Sequence, residues 1–431
     1  MNEPCASADR CGSVRTIIST GPGRLHFVEL ACALQDAGED IRMVTGWVPG
    51  PGGERLANLV GPLIGRPNLA KRLRPRRADG RIARERMHTM PIAEGLASIG
   101  YRLWGLGLLP HGPTMRLAWK NFGRATRRYL YDADIFHVRS AAGQGGAIAT
   151  AKRRGMKVVV DQSIAHPAFI DRALATDYAD IGETQWLSMR DGFCRLMVED
   201  CEQADCVLVN SDFVKETFIS EGFPAEKIHV EYLGVRPDFF GLKQEWSIRG
   251  PVKILFTGGF GIRKGAPHFL AALHLLQKRG ISYEATVVGS VEEIEKMPAA
   301  NPLPAHLTFV PRVPQDELKQ YLATHDLYLF PTLAEGCANS AMEALAAGIP
   351  VITTRECGLP ARHGEHVWLI PPRDPGAICD AIEMLVADGG QREALGRSAI
   401  RFMRSTYLWE QFGSQVRRLH ESLLACGANK P

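Results

Sequence analysis

Two glutamates, Glu335 and Glu343, carry the clearest chemical signal in the sequence, because seven residues separate them and a helix pattern begins between them. The helix is predicted over 338–347, after an apolar strand pattern and a turn, and Gly348 is placed to stop it. Glu335 then lies just before the first helical turn, whose unpaired backbone N–H groups can hold a phosphate. Glu343 lies inside the helix, where a buried carboxylate is costly unless it is paired or hydrogen-bonded.

The residues around this helix start narrow the kind of ligand. Ala338, Asn339 and Ser340 supply the backbone N–H groups that a phosphate would meet. A ribose diol would satisfy the carboxylate of Glu343, because a carboxylate can accept hydrogen bonds from both hydroxyl groups. A neighbouring basic residue or a backbone donor would satisfy it equally well, so a binding role and a structural role both remain open for this residue.

A glycine-rich turn after the predicted strand 253–257 is a second candidate binding site. Gly258 opens the turn, and Arg263 and Lys264 precede the helix pattern of residues 268–279. Glycines expose backbone N–H groups to a ligand, and a lysine beyond them supplies a point charge, which together suit a diphosphate. Taken alone, such a turn is more often an ordinary connection between a strand and a helix.

Another glycine turn, at residues 21–23, follows the first predicted strand. His26 stands where a dinucleotide-binding Gly-x-Gly-x-x-Gly pattern needs its last glycine, so a dinucleotide site is a weak hypothesis. His137 and His166 are expected near the carboxyl ends of later strands, where α/β proteins bind ligands. A lone histidine is more often structural, so both interpretations stay open for these two residues.

Strand and helix patterns alternate along most of the chain, which predicts parallel sheets covered by helices on both faces. The alternation restarts near residue 250, after a turn-rich segment, 236–251, that we interpret as a linker. We therefore expect an α/β protein in which two Rossmann-like, doubly wound domains face a cleft. The predicted domains are 1–237, 238–405 and a helix in 406–431 that crosses back to the first domain. The predicted strands are 14–20, 41–45, 134–138, 157–161, 206–210, 228–233, 253–257, 284–288, 307–310, 327–330, 350–354 and 367–370.

Residues 50–128 interrupt this alternation. The segment 66–86 contains nine Lys or Arg and two acidic residues, and an apolar, aromatic segment, 101–110, follows it. Basic residues next to Trp and Leu are typical of segments that bind a membrane surface. The alternatives are a solvated basic loop with a helix packed on its own domain, or a docking surface for an anionic acceptor. Peripheral membrane contact through 66–110 is therefore one of three hypotheses.

The composition restricts the class of protein. The chain has 431 residues, of which 45% are hydrophobic and 23% charged, as in an ordinary soluble protein, and a net charge of +4 gives no reason to expect nucleic acid. Its ten cysteines show no metal or redox spacing. The start of the chain lacks a signal-peptide core, and no run approaches the roughly 18 apolar residues of a membrane span. We expect a cytoplasmic protein, either unattached or peripheral at the inner membrane face.

The segment 335–354 resembles the Glu-x7-Glu signature of the retaining GT-B glycosyltransferases of family 4, the glycosyl transferases group 1. The resemblance continues in order over most of the chain, through 210–218, 222–230, 234–240, 357–360, 364–375 and 407–412. It implies that Glu335 touches hydroxyl groups of the donor sugar and that Glu343 holds the ribose. It also implies that Gly23 belongs to an N-terminal glycine loop next to the donor phosphate and the acceptor.

The sequence departs from the family at three places. The family has an arginine where this chain has Gly259, whereas Lys264 matches the family's lysine; whether Arg263 replaces the missing arginine is open. The family often has a histidine near the reacting sugar, and either Asp161 or His166 takes that place. The later loop has Ala-Arg-His at residues 361–363 in place of the usual glutamate.

The resemblance implies transfer of a sugar from a nucleoside-diphosphate sugar to an acceptor hydroxyl, with retention of configuration and without a metal or a resident cofactor. The acceptor class is a glycan, a lipid-linked molecule or a small molecule, as in polysaccharide, lipid-linked glycan or glycoconjugate synthesis. A nucleotide-sugar epimerase of the same fold, a non-catalytic nucleotide-sugar-binding protein and a nicotinamide oxidoreductase are the alternatives. The implied catalytic residues are Glu335, Lys264 and His166, and the implied donor-binding residues are Gly23, Gly258, Arg263, Ala338, Asn339, Ser340 and Glu343.

Overall fold

Two parallel β-sheets organise the protein. The computed structural model describes residues 13–23, 26–48, 55, 58–59, 80–182, 189–190, 192–292 and 294–428. Within these residues the first sheet contains β1 Arg15–Ser19, β2 Asp40–Thr45, β3 Met87–Thr89, β4 Ile135–Arg139, β5 Lys157–Gln162, β6 Cys206–Val209 and β7 Ile228–Val230. The second contains β8 Val252–Thr257, β9 Tyr283–Val288, β10 Leu307–Val310, β11 Leu327–Phe330, β12 Val351–Thr354 and β13 Trp368–Ile370.

Helices connect these strands, as parallel pairing requires. In the described part of the chain they are α1 Phe27–Asp36, α2 Pro91–Gly105, α3 His111–Thr126, α4 Ala147–Arg153, α5 Pro167–Asp180, α6 Phe193–Gln203, α7 Asp212–Ser220, α8 Ala266–Lys278, α9 Gln315–Thr324, α10 Asn339–Ala347, α11 Pro375–Ala387, α12 Gly389–Thr406 and α13 Trp409–Ala428. The predicted α/β fold with two Rossmann-like sheets is confirmed, and each predicted strand is present. The short strand β3 lies in the segment 50–128 and was not predicted.

The strand order of each sheet determines where a ligand can bind. The first sheet has the order β3-β2-β1-β4-β5-β6-β7 and the second the order β10-β9-β8-β11-β12-β13. The order reverses between β1 and β4 in one sheet and between β8 and β11 in the other, and a crevice opens at such a switch point beyond the strand ends. The segments that leave these four strands include the two glycine turns and Glu335. The topology therefore brings the candidate residues to the sheet edges where a ligand can bind.

An aromatic cluster supports the glycine turn that follows β8. The ring of Phe256 lies 5.1 Å from that of Phe260, 5.9 Å from that of Phe269 and 5.2 Å from that of Phe330, measured between centroids. Aromatic pairs of this kind add about 0.5–1.5 kcal/mol each beyond the area they bury. The turn therefore rests on a rigid base, which fixes the residues that follow it.

The last helix packs on the first sheet's helices although it follows the second sheet in the chain. Phe412 and Val416 of α13 lie in one buried cluster with Phe27 of α1. The segment that leads from the first sheet to the second lies beside the segment that leads back to α13. The backbone N–H of Val235 in the former donates to the carbonyl of Tyr407 in the latter at 2.8 Å. The boundaries of the predicted domains, and the linker at 236–251, stay predictions.

Gly413 is the fifth residue of α13, and Gly95 is the fifth residue of α2. Substitution of each glycine by alanine tests how closely α13 packs against α1. A Cβ added at Gly413 would lie 2.3 Å from the carbonyl oxygen of Ala33, whereas a Cβ at Gly95 of α2 would meet nothing within 4 Å. We expect Gly413→Ala to destabilise the protein by about 1–3 kcal/mol through overpacking. Gly95→Ala is the matched control and should stabilise it by about 0.5–1 kcal/mol, since alanine is the better helix former.

Thermal unfolding of both variants and the parent protein measures this difference. An unchanged or higher midpoint for Gly413→Ala would show that α13 does not sit against α1 at this distance.

Candidate active site

A cavity of about 650 Å³ lies between the carboxyl ends of the two sheets. Loops and helices that follow strands of the first sheet supply one wall, and the segments after β8 and β11 supply the other. The second-sheet wall consists of Arg263, Lys264, Glu335 and the start of α10 at 337–340. The structure thus brings the two candidate motifs of the second half of the sequence into one site.

Glu335 is the electrostatic centre of this wall. Its Oε1 lies 2.7 Å from Nη1 of Arg263 and 2.7 Å from Nζ of Lys264, and the residue is only 9% exposed. Burial alone would raise the pKa of Glu335, but the charges of Arg263 and Lys264 outweigh burial and hold the pKa below its usual value. Its backbone carbonyl accepts a hydrogen bond from the N–H of Ala165 at 3.2 Å, so the residue also contacts the loop after β5.

Local geometry fixes the two cations. They belong to a single 3₁₀ turn, Ile262–Lys264, that ends at Gly265 with a φ of +77°. A Cβ at Gly265 would lie 1.9 Å from the carbonyl oxygen of Pro331, so this position requires glycine for both conformation and space. Nη1 of Arg263 also donates to the carbonyl of Ala334 at 2.8 Å, and Nζ of Lys264 lies 4.8 Å from the ring centroid of Phe330.

The glycines at the start of the turn keep this wall open. Gly258 has a φ of +123°, and a Cβ there would lie 4.0 Å from Nζ of Lys264, at ordinary contact distance. A Cβ at Gly259 would lie 2.9 Å from Oε1 of Glu292. The position of the family's arginine is therefore next to a carboxylate in this chain. Arg263 is instead the arginine beside Glu335, and whether it replaces the family's arginine stays an open question.

The start of α10 presents backbone donors to the cavity. The N-cap residue Ala338 offers no side-chain hydrogen bond to the first turn, and its own N–H donates to the carbonyl of Cys357 at 3.2 Å. Among the three predicted phosphate-binding residues, Asn339 and Ser340 are thus the ones whose N–H groups form no hydrogen bond within the described residues. They lie at the positive end of the helix dipole, where an anion is stabilised.

Glu343 lies deeper along the same helix, beside a second cavity of about 260 Å³. Burial raises its pKa to about 7, against the attraction of Arg236. The guanidinium of Arg236 pairs with Asp238 at 3.0 Å, and no ion pair or hydrogen bond joins the Glu343 side chain to another described residue. The structural alternative for this glutamate, a neighbouring basic or backbone partner, is therefore not what the structure shows.

Sequence reasoning did not select His26, which lines both cavities. Its Nε2 lies 2.9 Å from Oδ2 of Asp161, and both side chains are buried. Burial alone would raise the pKa of Asp161, but His26 and His137 hold that pKa well below its usual range. Asp161 and His26 come from the ends of different strands, 135 residues apart, so no local pattern indicated the pair.

His137 belongs to a buried chain of polar groups rather than to the cavity wall. Its Nδ1 lies 3.2 Å from Nε2 of His420, whose Nδ1 lies 2.9 Å from Oε1 of Glu39. Burial lowers the pKa of His137, so its neutral form is favoured. This series of polar contacts runs from His26 through Asp161 to α13, so it connects the last helix to the cavity.

His166 lies at the N-terminus of α5. Its Nδ1 accepts a hydrogen bond from the N–H of Ala168 at 3.2 Å, and its ring packs against that of Phe218. Burial lowers its pKa. These contacts give His166 a helix-capping role, and Ser163 and Ile164 form the nearby cavity wall instead. Its role in catalysis stays a prediction that these contacts do not favour.

Gly23 closes the other side of the site. A Cβ added there would lie 3.0 Å from Nη1 of Arg139, which lines the cavity at the end of β4. The glycine that the resemblance placed near the donor phosphate and the acceptor thus contacts a cation of the first-sheet wall.

The described residues show neither a metal-ligand cluster nor a membrane-spanning helix. No group of three or more His, Cys, Asp or Glu there has a geometry that could hold a metal ion. Among the helices in that same part of the chain, none is both long and apolar enough to cross a membrane.

Comparison with known proteins identifies relatives along the chain. Residues 21–234 match the family model for the glycosyl transferase 4-like domain, and residues 251–388 match that for glycosyl transferases group 1. The amylovoran biosynthesis glycosyltransferase AmsK of Erwinia amylovora is 28% identical over 278 residues, which cover 62% of this chain and 64% of the relative. The match therefore spans somewhat less than two thirds of that relative's length.

Solved structures share the fold. Sucrose-phosphate synthase from Thermosynechococcus elongatus superposes with a TM-score of 0.67 at 17% identity, over 96% of this chain and 100% of that chain. Anabaena HepE in complex with UDP superposes with a TM-score of 0.59 at 15% identity, over 95% of this chain and 100% of that chain. At these identities the likeness extends to the fold alone.

The raised pKa of Glu343 predicts that this carboxylate destabilises the ligand-free protein above neutral pH. An unfolded glutamate has a pKa of about 4.3, so between there and about 7 the native state holds a proton that the unfolded state has lost. Stability therefore falls as the pH rises through this window. Glu343→Gln should raise the midpoint of thermal unfolding at about pH 8, and less so at about pH 5.

Glu226→Gln, at an exposed position, is the control and should change the midpoint little at either pH. Equal midpoints for Glu343→Gln and the parent protein at the higher pH would contradict a half-buried carboxylate that has no partner among the described residues.

Proposed function

The chain belongs to the group 1 glycosyltransferases of GT-B fold, and we propose that it transfers a sugar from a nucleoside-diphosphate sugar to an acceptor hydroxyl. The observation that carries the proposal is the position of Glu335 between Arg263 and Lys264, at the start of α10 and inside the cavity between the sheets. The UDP complex of HepE, a protein of the same fold, supports a nucleotide-sugar donor.

The donor diphosphate is the group that this wall suits best. Lys264 and Arg263 converge from one turn with the N–H groups of Asn339 and Ser340 from a helix start. Negative charge develops on the leaving phosphate as the glycosidic bond breaks, and fixed donors stabilise that charge. We therefore propose that protein cations neutralise the leaving group without a metal or a resident cofactor; retention of configuration follows from the family resemblance alone.

The two glutamates then serve different parts of the donor. The carboxylate of Glu335 forms ion pairs with both cations. An arriving diphosphate competes for those cations, so the carboxylate becomes available to hydroxyl groups of the sugar. Glu343 has no partner among the described residues, and a ribose diol would supply two hydrogen-bond donors to its carboxylate. His26, held by Asp161, faces the same space from the first-sheet side.

Substitutions of Glu335 and Lys264 separate nucleotide binding from transfer. Lys264→Met removes a charged donor and should weaken nucleoside-diphosphate binding by about tenfold to a hundredfold. Glu335→Gln removes the competing carboxylate, so nucleotide affinity should stay equal or increase, whereas sugar transfer or donor hydrolysis should fall by about 10²–10³. Thermal shift with UDP-, GDP- and ADP-sugars identifies the nucleotide that binds. Titration calorimetry then measures nucleotide affinity, and product release measures sugar transfer or donor hydrolysis.

Lys278→Met, at an exposed position on α8, is the control for loss of a lysine. Full turnover in folded Glu335→Gln and Lys264→Met variants would reject the site assignment. Interconversion of donor sugars without transfer to any acceptor would instead favour an epimerase.

We also propose that the helix α2 makes peripheral contact with a membrane. Ile92 is 78% exposed, Leu96 and Ile99 are more than half exposed, and Leu106, just beyond the helix, is 72% exposed. Positions 92, 96, 99 and 106 lie along one helical stripe. The basic segment 66–79 lies outside the described residues, and its charge favours an anionic lipid surface.

Vesicle binding tests this contact. Combined Ile92→Ser and Ile99→Ser should reduce co-sedimentation with vesicles of phosphatidylcholine and phosphatidylglycerol by at least about tenfold, because two apolar side chains no longer enter the bilayer. Ile219→Ser removes an exposed isoleucine from α7 and should leave binding unchanged. Equal binding of both variants, or no binding by the parent protein, would refute a membrane contact at α2.

A further inference from the structure

Arg139 is a cation of the cavity that the proposed donor chemistry does not use. It is the last residue of β4, and its guanidinium carbon lies 4.9 Å from the ring centroid of Trp119. Burial lowers the pKa of Arg139 to about 10, against the attraction of Tyr101 and Asp161, so the side chain remains charged at neutral pH. Among the described residues, no ion pair and no hydrogen bond reaches its guanidinium.

The nearest strand neighbour does not supply the missing negative charge. Arg139 and Asp161 are partners in the β4–β5 register. Oδ2 of Asp161, however, lies 2.9 Å from Nε2 of His26 and 3.8 Å from Nε2 of His137. The carboxylate is thus already engaged, and it attracts Arg139 without forming an ion pair with it. A largely buried charge without a partner is costly, which is a reason to expect that a ligand provides one.

The glycine turn after β1 is shaped around the arginine and the tryptophan. Gly21 has a φ of +68°, and a Cβ there would lie 2.6 Å from the ring of Trp119. A Cβ at Gly23 would lie 3.0 Å from Nη1 of Arg139. Both glycines therefore permit the backbone of the turn to lie against the stacked pair. The guanidinium therefore lies over the ring of Trp119 and beside the turn at Gly23.

The charges of the cavity are arranged unequally on its two walls. The second-sheet wall has Arg263 and Lys264, both paired with Glu335. The first-sheet wall has Arg139, and no carboxylate lines the cavity on that side among the described residues. The cavity on that side is also lined by Tyr101, Trp119 and Phe193, so an anion that approaches the guanidinium there meets aromatic rings rather than carboxylates.

We propose that Arg139, stacked on Trp119, binds an oxyanion of the acceptor, namely a phosphate or a carboxylate group. A guanidinium whose plane is fixed donates two parallel hydrogen bonds to such a group, which selects orientation as well as charge. The assignment to the acceptor rests on the proposed sugar transfer, because that function places the donor on the second-sheet wall. The anion site itself depends only on Arg139 and its surroundings.

Binding of small anions in the presence of saturating nucleoside diphosphate tests the proposal. The nucleotide selected by thermal shift fills the donor wall, and pyrophosphate, inorganic phosphate and glucuronate are then titrated by calorimetry, with glucose as the neutral comparison. The parent protein should bind at least one anion and not glucose. Arg139→Gln should weaken that binding by about tenfold or more, and Arg139→Lys by less, since lysine keeps the charge but not the fork.

Arg418→Gln removes an exposed arginine of α13 and should leave anion binding unchanged. Trp119→Leu should weaken anion binding while Arg139 remains, provided that its circular dichroism matches the parent protein. A preference for phosphate or for glucuronate identifies which oxyanion the acceptor carries.

Three results would overturn the proposal. The first is no anion binding by the parent protein beside the nucleotide, and the second is equal binding by Arg139→Gln. The third is a loss of nucleotide affinity in Arg139→Gln with anion binding retained, which would assign Arg139 to the donor. If no nucleotide binds to the parent protein, the proposed function fails, and titration of the anions without nucleotide still tests the Arg139 site.

Discussion

The pairing of Glu335 with Arg263 and Lys264 is the interaction on which the cavity depends. Removing one member of a buried group of charges leaves the others uncompensated, at a cost of about 3–5 kcal/mol. The surrounding structure is built to keep the group together: Gly265 allows the turn to approach Pro331, and Arg263 also binds the carbonyl of Ala334. The three charges therefore hold the segment after β8 against the segment after β11, which is the arrangement that a diphosphate needs.

A second polar network stabilises the first-sheet side and connects it to the end of the chain. A buried series of contacts joins His26, Asp161, His137, His420 and Glu39 in that order. Glu39 also accepts a hydrogen bond from Thr16 at 2.6 Å. Polar groups in such a network are costly when they are unsatisfied and rigid when they are satisfied. The last helix is therefore part of the support of His26, although it is distant from the cavity in sequence.

Much of the fold and part of the site could be predicted from the sequence, for physical reasons. Apolar strands and glycine turns are local signals, and the parallel arrangement implied that Lys264 and Glu335 meet at one edge. The contact between His26 and Asp161 depends on strand order, and so does the position of Arg139 at the cavity. No local pattern in the sequence contains the strand order. Pro167 after His166 was a usable signal, because proline is common at the first position of a helix and places the preceding residue at the cap.

Two charged side chains beside the cavities are only partly compensated by the described residues. Among the described residues, no ion pair or hydrogen bond joins the carboxylate of Glu343 on α10 or the guanidinium of Arg139 on the opposite wall to another side chain. We propose that each receives a ligand of complementary chemistry, a diol at Glu343 and an oxyanion at Arg139. Because the charges already have their positions before binding, little reorganisation is needed when both substrates are present. Under both proposals, the uneven charge of the two walls orders the substrates, with the donor on the side of Glu343 and an anionic acceptor on the side of Arg139.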